Sequence, residues 1–555
     1  MKTSEEVVAR PESRLTLELV EEYRVTGKWR DVVLGSYLTE AAEATPDRVA
    51  AVSVDGQTGK RTGTIRYAEI DALTNRLAGG LSRLGIGPGD AVCVMLPNRL
   101  EFGALIYAIA RLGAVYSGIP VSYGQKEAAF IVRRVRARVI IVPSRFRSTN
   151  HVDMVREISV EAPDLEHVVV LGEKVPEEPG WLSFEELAAA EPLEQQPEVD
   201  PGSLVHIGFT SGTTGEPKGV MNTHQTLDAV RWRWIDHVGE ETLGTPSVNL
   251  IASPVGHHTG FLWGALLSAS VGGTAIYLDR WDPQVAAEAI QREGVTLMFG
   301  APTFLQDLMR LPELGPDAFP SLRMICIPGA PIPRELVPKA RETLGCFICP
   351  AWGMTEWGIA ISGAPGLPRE RVEATDGVPI EGCEARVMDT QDEQAEPEQE
   401  GELQIRGAGL FVGYYERPEV TEEEIVEGWF KTGDQAVMHE DGYVSLLGRT
   451  KDIIIRGGEN IPVYELENSL YRHPAVVDAA VVGVPDERLG ERACAVLMLE
   501  RDEHLTLEDV TKYLLDEGIS KHFLPESVEL VDALPKTSTG KVRKVELRQW
   551  LVQQE

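Results

Sequence analysis

The segment Thr210-Ser211-Gly212-Thr213-Thr214-Gly215-Glu216-Pro217-Lys218-Gly219 sets three threonines, one serine, three glycines and a lysine within ten residues, directly after the apolar run Leu204 to Phe209. Glycine lets backbone N–H groups approach an anion, hydroxyls add donors, and lysine adds a cation. That is the chemistry of a polyphosphate cradle. It is not a Walker A loop, because Pro217 precedes Lys218 and Gly219 follows it. By composition alone the same residues also suit a solvated surface loop.

Three further segments carry chemistry of the same kind. Ala351-Trp352-Gly353-Met354-Thr355-Glu356 offers an aromatic to stack a base and a carboxylate to hold Mg²⁺ near phosphates. Taken alone it equally fits a strand leaving a sheet. Lys431-Thr432-Gly433-Asp434 and Gly448-Arg449 supply a carboxylate for ribose hydroxyls and a guanidinium for phosphate. Alone they fit a turn and a surface ion pair. Pro535-Lys536-Thr537-Ser538-Thr539-Gly540-Lys541 puts two lysines near the end of the chain, where a solvated basic tail reads the same way.

These segments need elements to position them. Ile70, Leu73, Leu77, Leu81 and Leu84 share one helical face, Val92 to Leu96 reads as a buried strand, and Glu101 to Leu112 as a helix. Val139 to Val142 and Val168 to Leu171 are further strands. Short β-branched runs separated by helices predict an α/β fold with mostly parallel sheets. The uncharged stretch Thr259 to Leu278 is long enough to span a bilayer, but Gly272-Gly273 breaks it, and it reads as a buried helix followed by a strand. Lys174 to Asp200, rich in Glu and Pro, reads as a solvated connection. Asp389 to Glu402 reads as a hairpin tip. Past residue 448 the pattern changes to a compact α+β unit, with helices opening at Pro462 and at Thr506-Leu507-Glu508-Asp509. The expected division is 1–448 for a large N-terminal domain and 449–555 for a small mobile one.

The 555 residues carry 53 Lys and Arg against 86 Asp and Glu, a net charge of −33. Such a balance argues against sequence-independent binding to nucleic acid or to an anionic membrane. The 6 cysteines are too few for a disulfide scaffold, and Cys346 and Cys349 sit in an apolar stretch. With no apolar signal region at the N-terminus, a cytoplasmic location is expected.

Together, the order and spacing of the four segments resemble the adenylate-forming superfamily of acyl-CoA and aryl-CoA ligases, luciferase and peptide-synthetase adenylation domains, from about Thr39 to Lys544. The resemblance implies β-sheets packed with helices in the large domain, a small α+β lid, and two steps. A carboxylate attacks the α-phosphorus of ATP, and CoA then takes the acyl group from the adenylate.

Residue by residue, it implies that Thr210, Ser211, Gly212, Thr213, Thr214, Gly215 and Lys218 hold the β- and γ-phosphates. Gly329, Ala330 and Pro331, with Trp352, Gly353 and Met354, line the adenine. Thr355 touches the α-phosphate, Glu356 and Thr213 help place Mg²⁺, and Asp434 with Arg449 binds the ribose. Lys541 bridges the carboxylate and the α-phosphate. Lys451 is the pivot, and Gly457 and Gly458 approach CoA. Trp352 stands where the family usually has Tyr, and Pro328 replaces a glycine before Gly329.

The acid itself is read from Pro254-Val255-Gly256-His257-His258-Thr259-Gly260, beside the acyl pocket by resemblance, with His257 at its gate and Gly300-Ala301-Pro302-Thr303, Ile327 and Gly329 on its wall. No acidic residue lies between Ser253 and Leu278, so nothing there meets an α-ammonium group. The expected substrate is a medium-chain, alicyclic or other bulky acid. Two alternatives remain: an enzyme that passes its acyl-AMP to a separate partner, and a scaffold that binds nucleotide without catalysis. The sequence leaves a homodimer open.

Overall fold

The computed structural model describes residues 4–554 except 173–174, 211–215, 313, 331, 450–451, 453, 457–458, 487 and 538–539. Two large sheets dominate. In one, the strands Val49–Val54, Val248–Ile251, Thr274–Leu278, Leu297–Phe299, Met324–Ile327 and Phe347–Met354 run parallel, and Arg61–Arg66 and Gly358–Ser362 pair antiparallel with members of that set. In the other, Ala91–Val94, Val115–Gly118, Val139–Pro143, His167–Leu171 and Leu204–Thr210 lie parallel, and Lys218–Thr223 turns back antiparallel to Leu204–Thr210. Val139–Pro143 is buried along its whole length, as a parallel strand covered on both faces must be. The cluster between these sheets holds Tyr107, Trp234, Trp263 and Tyr277. The chain is thus an α/β protein, as its sequence pattern predicts.

A third sheet, built on Cys383–Met388, Glu400–Gly407, Trp429–Met438 and Val444–Arg449, carries Asp434 opposite Arg449. Its first hairpin has 389–399 as its tip, as expected. A fourth, built on Ile454–Arg456, Val476–Asp486, Gly490–Leu499 and Ser527–Leu530, has an apolar cluster on each face and pairs with none of the other sheets among the described residues. The helix Leu507–Asp516 starts with the expected capping box, Thr506 accepting from the Asp509 N–H.

The uncharged stretch is a buried helical run, Thr259–Leu266 and Leu267–Ser270, followed by the strand Thr274–Leu278. Among the described residues no helix is long and apolar enough to cross a membrane. All six cysteines are buried and none forms a disulfide. One expectation is corrected. Lys174 to Asp200 is not simply a solvated connection: Trp181–Ser183 extends the second sheet and Phe184–Ala188 is a capped helix that buries Phe184 and Leu187. A short amphipathic pattern was hidden there among Glu and Pro.

Candidate active site

A cavity of about 800 Å³ opens where the small domain faces the large one. Gly329, Ala330, Trp352 and Gly353 line it from the large sheet, Asp434 and Arg449 from the third sheet, and Gly540 and Lys541 from the small domain. Segments separated by more than two hundred residues therefore meet in one space.

Asp434 is its fixed anion. The carboxylate accepts the indole N–H of Trp352 on Oδ2 (2.9 Å) and the guanidinium of Arg449 on Oδ1 (2.7 Å). Burial pushes its pKa up, while Arg449, Lys541 and Trp352 pull it back. The aromatic at 352 thus lines the cavity with its ring and supplies a donor that orients Asp434. Phenylalanine would keep only the ring. We expect Trp352→Phe to raise the KM for ATP about tenfold, the loss of roughly one hydrogen bond to a charged group, with a smaller change in kcat. Pyrophosphate release against ATP concentration checks it.

Lys541 reaches the cavity on a tight turn. Its N–H donates to Thr537 Oγ1 (3.1 Å), and Lys536 bridges to Val542. Burial, first, and Arg449, second, lower the lysine's pKa, and Asp434 and Asp452 oppose them. Gly540 makes the turn possible. Its φ is +86°, and a Cβ there would lie 2.3 Å from Thr303 Oγ1, at the start of the helix Pro302–Met309. Only glycine meets both demands without shifting the loop. Gly540→Val should lift Lys541 off the cavity and lower the adenylation rate at least about tenfold, in line with the sensitivity of catalysis to misplacement of about 1 Å. Single-turnover formation of acyl-AMP, with circular dichroism to confirm an intact fold, measures this. Two hydrogen bonds join the domains nearby: Tyr464 donates to the Ile332 carbonyl (3.2 Å) and Arg310 to the Val477 carbonyl (3.0 Å).

Thr210 and Lys218 face each other across the strand pair that carries the Ser/Thr/Gly loop. Lys218 Nζ pairs with Glu424 (2.6 Å) and lies over the Tyr414 ring, 4.5 Å from its centroid. The Tyr414 hydroxyl lies within hydrogen-bonding distance of two carboxylates, 2.9 Å from Glu356 Oε1 and 2.8 Å from Glu424 Oε2. Burial raises the pKa of Tyr414 far above its ordinary value, with Glu356 and Glu424 adding to it, so the hydroxyl stays protonated. Glu356 is 5% exposed. Burial raises its pKa, and the Tyr414 hydrogen bond and Lys218 oppose the rise. Its carbonyl accepts from the Phe411 N–H (2.8 Å), and Arg14 donates to the Phe411 carbonyl, so the N-terminal strap braces the same turn.

The sequence reading missed Tyr414 and Glu424. The Gly413-Tyr414-Tyr415 run was the available signal for the first. Of the residues expected at the acyl pocket, Gly329 lines the cavity, whereas Ile327 is fully buried in the apolar cluster on the far side of its strand. A Cβ on Gly300 would strike Phe304 and Met298, so this position packs against the core. His257 is half-buried and its Nδ1 accepts from the Thr259 N–H (3.4 Å), outside the cavity lining. Met354 closes the strand Phe347–Met354, and the Thr355 methyl lies against Gly208. Ser211, Gly212, Thr213, Thr214, Gly215, Pro331, Lys451, Gly457 and Gly458 lie outside the described residues.

Comparison with known proteins places this geometry. The family model described as AMP-binding enzyme matches residues 38–415, and that of the AMP-binding enzyme C-terminal domain matches 465–541. The chain is 32% identical over 528 residues to a medium-chain fatty-acid–CoA ligase of Escherichia coli, covering 95% of this chain and 92% of that protein. It is 32% identical over 533 residues to a salicyl-AMP ligase / salicyl-S-ArCP synthetase of Mycobacterium tuberculosis, covering 94% and 91%. The crystal structure of ATP-bound MatB from Rhodopseudomonas palustris superposes with a TM-score of 0.83 at 26% identity, over 94% of this chain and 99% of that one. With the Asp434–Arg449 pair and Lys541 gathered at one cavity, the chain belongs to the AMP-binding enzyme family, within the adenylate-forming superfamily.

Proposed function

We propose that this chain is an AMP-forming acid–CoA ligase acting on a carboxylic acid without an α-amino group, of medium-chain, alicyclic or similarly bulky shape. One observation carries the reading: Lys541 and the Asp434–Arg449 pair line the same cavity from opposite domains. In the first step the acid's carboxylate oxygen attacks the α-phosphorus of ATP. An O–P bond forms, the bond to the β-phosphate oxygen breaks, and pyrophosphate leaves. Two anions must meet, so positioning and charge compensation are the main tasks. Asp434 fixes the ribose, Trp352 the base, and Lys218 the outer phosphates. Lys541 places its charge between carboxylate and α-phosphate.

Glu356 suits Mg²⁺, a cation that binds through one or two carboxylates plus substrate phosphates, and Tyr414 holds that carboxylate in place. When bound, the ion would screen phosphate charge. In the second step the CoA thiol attacks the acyl carbon and AMP leaves with the electron pair of the broken C–O bond. The joint near Lys451 is the pivot in our reading, with Gly457 and Gly458 facing CoA. Six buried cysteines without a disulfide suit a reducing cytoplasm.

The test is pyrophosphate release across a panel of carboxylic acids, with and without CoA, and products identified by mass spectrometry. A thioester is the expected product. Acyl-AMP that accumulates despite CoA would assign the second step to a partner, and ATP binding with no acid-dependent pyrophosphate release would overturn the proposal.

A further inference from the structure

Three elements bring two imidazoles into an aromatic cage beside the active site. His206 sits on Leu204–Thr210, in register with Tyr116 on the neighbouring strand. His258 immediately precedes the helix Thr259–Leu266, which contributes Phe261. The His206 ring stacks 5.4 Å from Tyr116, 4.6 Å from Phe261 and 5.4 Å from His258. Both histidines are buried, at 2% and 7% exposure. Yet His206 Nδ1 and both ring nitrogens of His258 have no hydrogen-bond partner in the protein.

Several of their polar neighbours are paired. Tyr116 donates to the Val255 carbonyl (3.1 Å), Ser117 to the Ile207 carbonyl (3.0 Å), and Asn98 to the Ile251 and Ser253 carbonyls (2.9 and 3.0 Å). Three nitrogens orphaned on two rings in contact with each other call for a partner that the chain itself does not supply. A metal does not fit, since no group of three or more ligating side chains assembles among the described residues.

The cage also borders Thr355, the residue that the family resemblance sets at the α-phosphate. A Cβ on Gly208 would lie 2.6 Å from His206 Cε1 and 3.1 Å from the Thr355 methyl, so imidazole and Thr355 flank the same glycine. We propose that His206 and His258 determine specificity by hydrogen-bonding a hydroxyl on the acyl part of the acid. This rests on the acid-activating reading above. Each neutral imidazole offers one donor and one acceptor, which a hydroxyl can match. Burial keeps both rings neutral: it holds His206 well below the ordinary histidine range and pushes His258 down to about 3. Neutral rings favour a hydroxyl over a second carboxylate.

The test compares matched acids that differ only by a hydroxyl, such as cyclohexanecarboxylic acid against its ring-hydroxylated isomers and benzoic acid against the hydroxybenzoic acids. The readout is kcat/KM for pyrophosphate release. A site built to bond a substrate group discriminates strongly against the analogue lacking it. The full-length enzyme should therefore prefer at least one hydroxylated isomer about tenfold or more. His258→Phe and His206→Phe should each bring that ratio towards one, and His258→Asn, which keeps a donor and an acceptor, should restore part of it. Circular dichroism confirms that each variant is folded.

If the wild-type enzyme prefers the unsubstituted acids throughout, the inference falls while acid activation stands. The same holds if folded Phe variants keep the wild-type ratio. If no acid supports pyrophosphate release, the functional reading fails and takes this inference with it.

Discussion

Lys541→Ala should lower the rate of acyl-AMP formation by about 10²–10³-fold, the usual effect of removing one preorganised charge from a developing anionic centre. The protein should remain folded, because alanine removes an ammonium that burial already disfavours. If acyl-AMP is supplied directly, CoA should capture it at close to the wild-type rate, since the lysine serves only the first step. That contrast separates a catalytic role from a structural one. Arginine should not rescue, as a planar fork cannot replace a compact charge on a flexible stem. The pH profile gives a second check. Burial lowers the pKa of Lys541, so its cationic form is lost at a lower pH than that of an exposed lysine. Adenylation should decline as pH rises through that lowered value, and the Lys541→Ala variant should lack this alkaline limb. Normal adenylation by the variant would remove Lys541 from the mechanism.

How much of this was legible beforehand depended on the range of the interactions. The strand Val139–Pro143 is a short β-branched run whose burial on both faces follows from its own composition. The Thr506 capping box closes within three residues. Asp434, Arg449 and Lys541, which share one cavity, could be named because each sits in a distinctive local segment. Tyr414 could not. Its meaning comes from Glu356, 58 positions away, and from the Lys218–Glu424 pair, and no periodicity encodes a hydroxyl shared between two acids.

The placement of Ile327 has a simpler cause. Side chains alternate along a strand, so moving one residue changes the face. On Met324–Ile327, Met324 and Cys326 join the cluster between the large sheets, whereas Ile325 and Ile327 join the outer one. Ile327 therefore packs into the outer cluster rather than the one between the sheets. His206 was overlooked for the opposite reason: a polar residue inside an apolar strand reads as a tolerated interruption until its unpaired nitrogen is seen.

Glu356→Gln tests whether the buried acid is retained for chemistry at the expense of stability. The carboxylate is almost fully buried, and burial raises its folded pKa above the unfolded value. The sign follows from proton binding. Between the two pKa values the folded state holds more protons than the unfolded one, so stability falls as pH rises through this interval. At neutral pH the ionised side chain is therefore a net penalty, relieved only as the pH drops towards the ordinary carboxylate range. Glutamine keeps the shape and an oxygen to accept from Tyr414 but carries no charge. The variant should have a Tm equal to or above that of the wild type at pH 8, with the difference shrinking near pH 5. Pyrophosphate release should fall by about 10²-fold or more, since a charge beside the phosphates is lost. If Glu356 merely anchored Tyr414, glutamine would preserve activity, because that hydrogen bond survives. A fall in both Tm and activity would instead mean that the ion network of Lys218, Glu424 and Glu356 stabilises the fold, and that the acid is structural. Loss of activity with stability held or gained is the outcome that places Glu356 at the nucleotide.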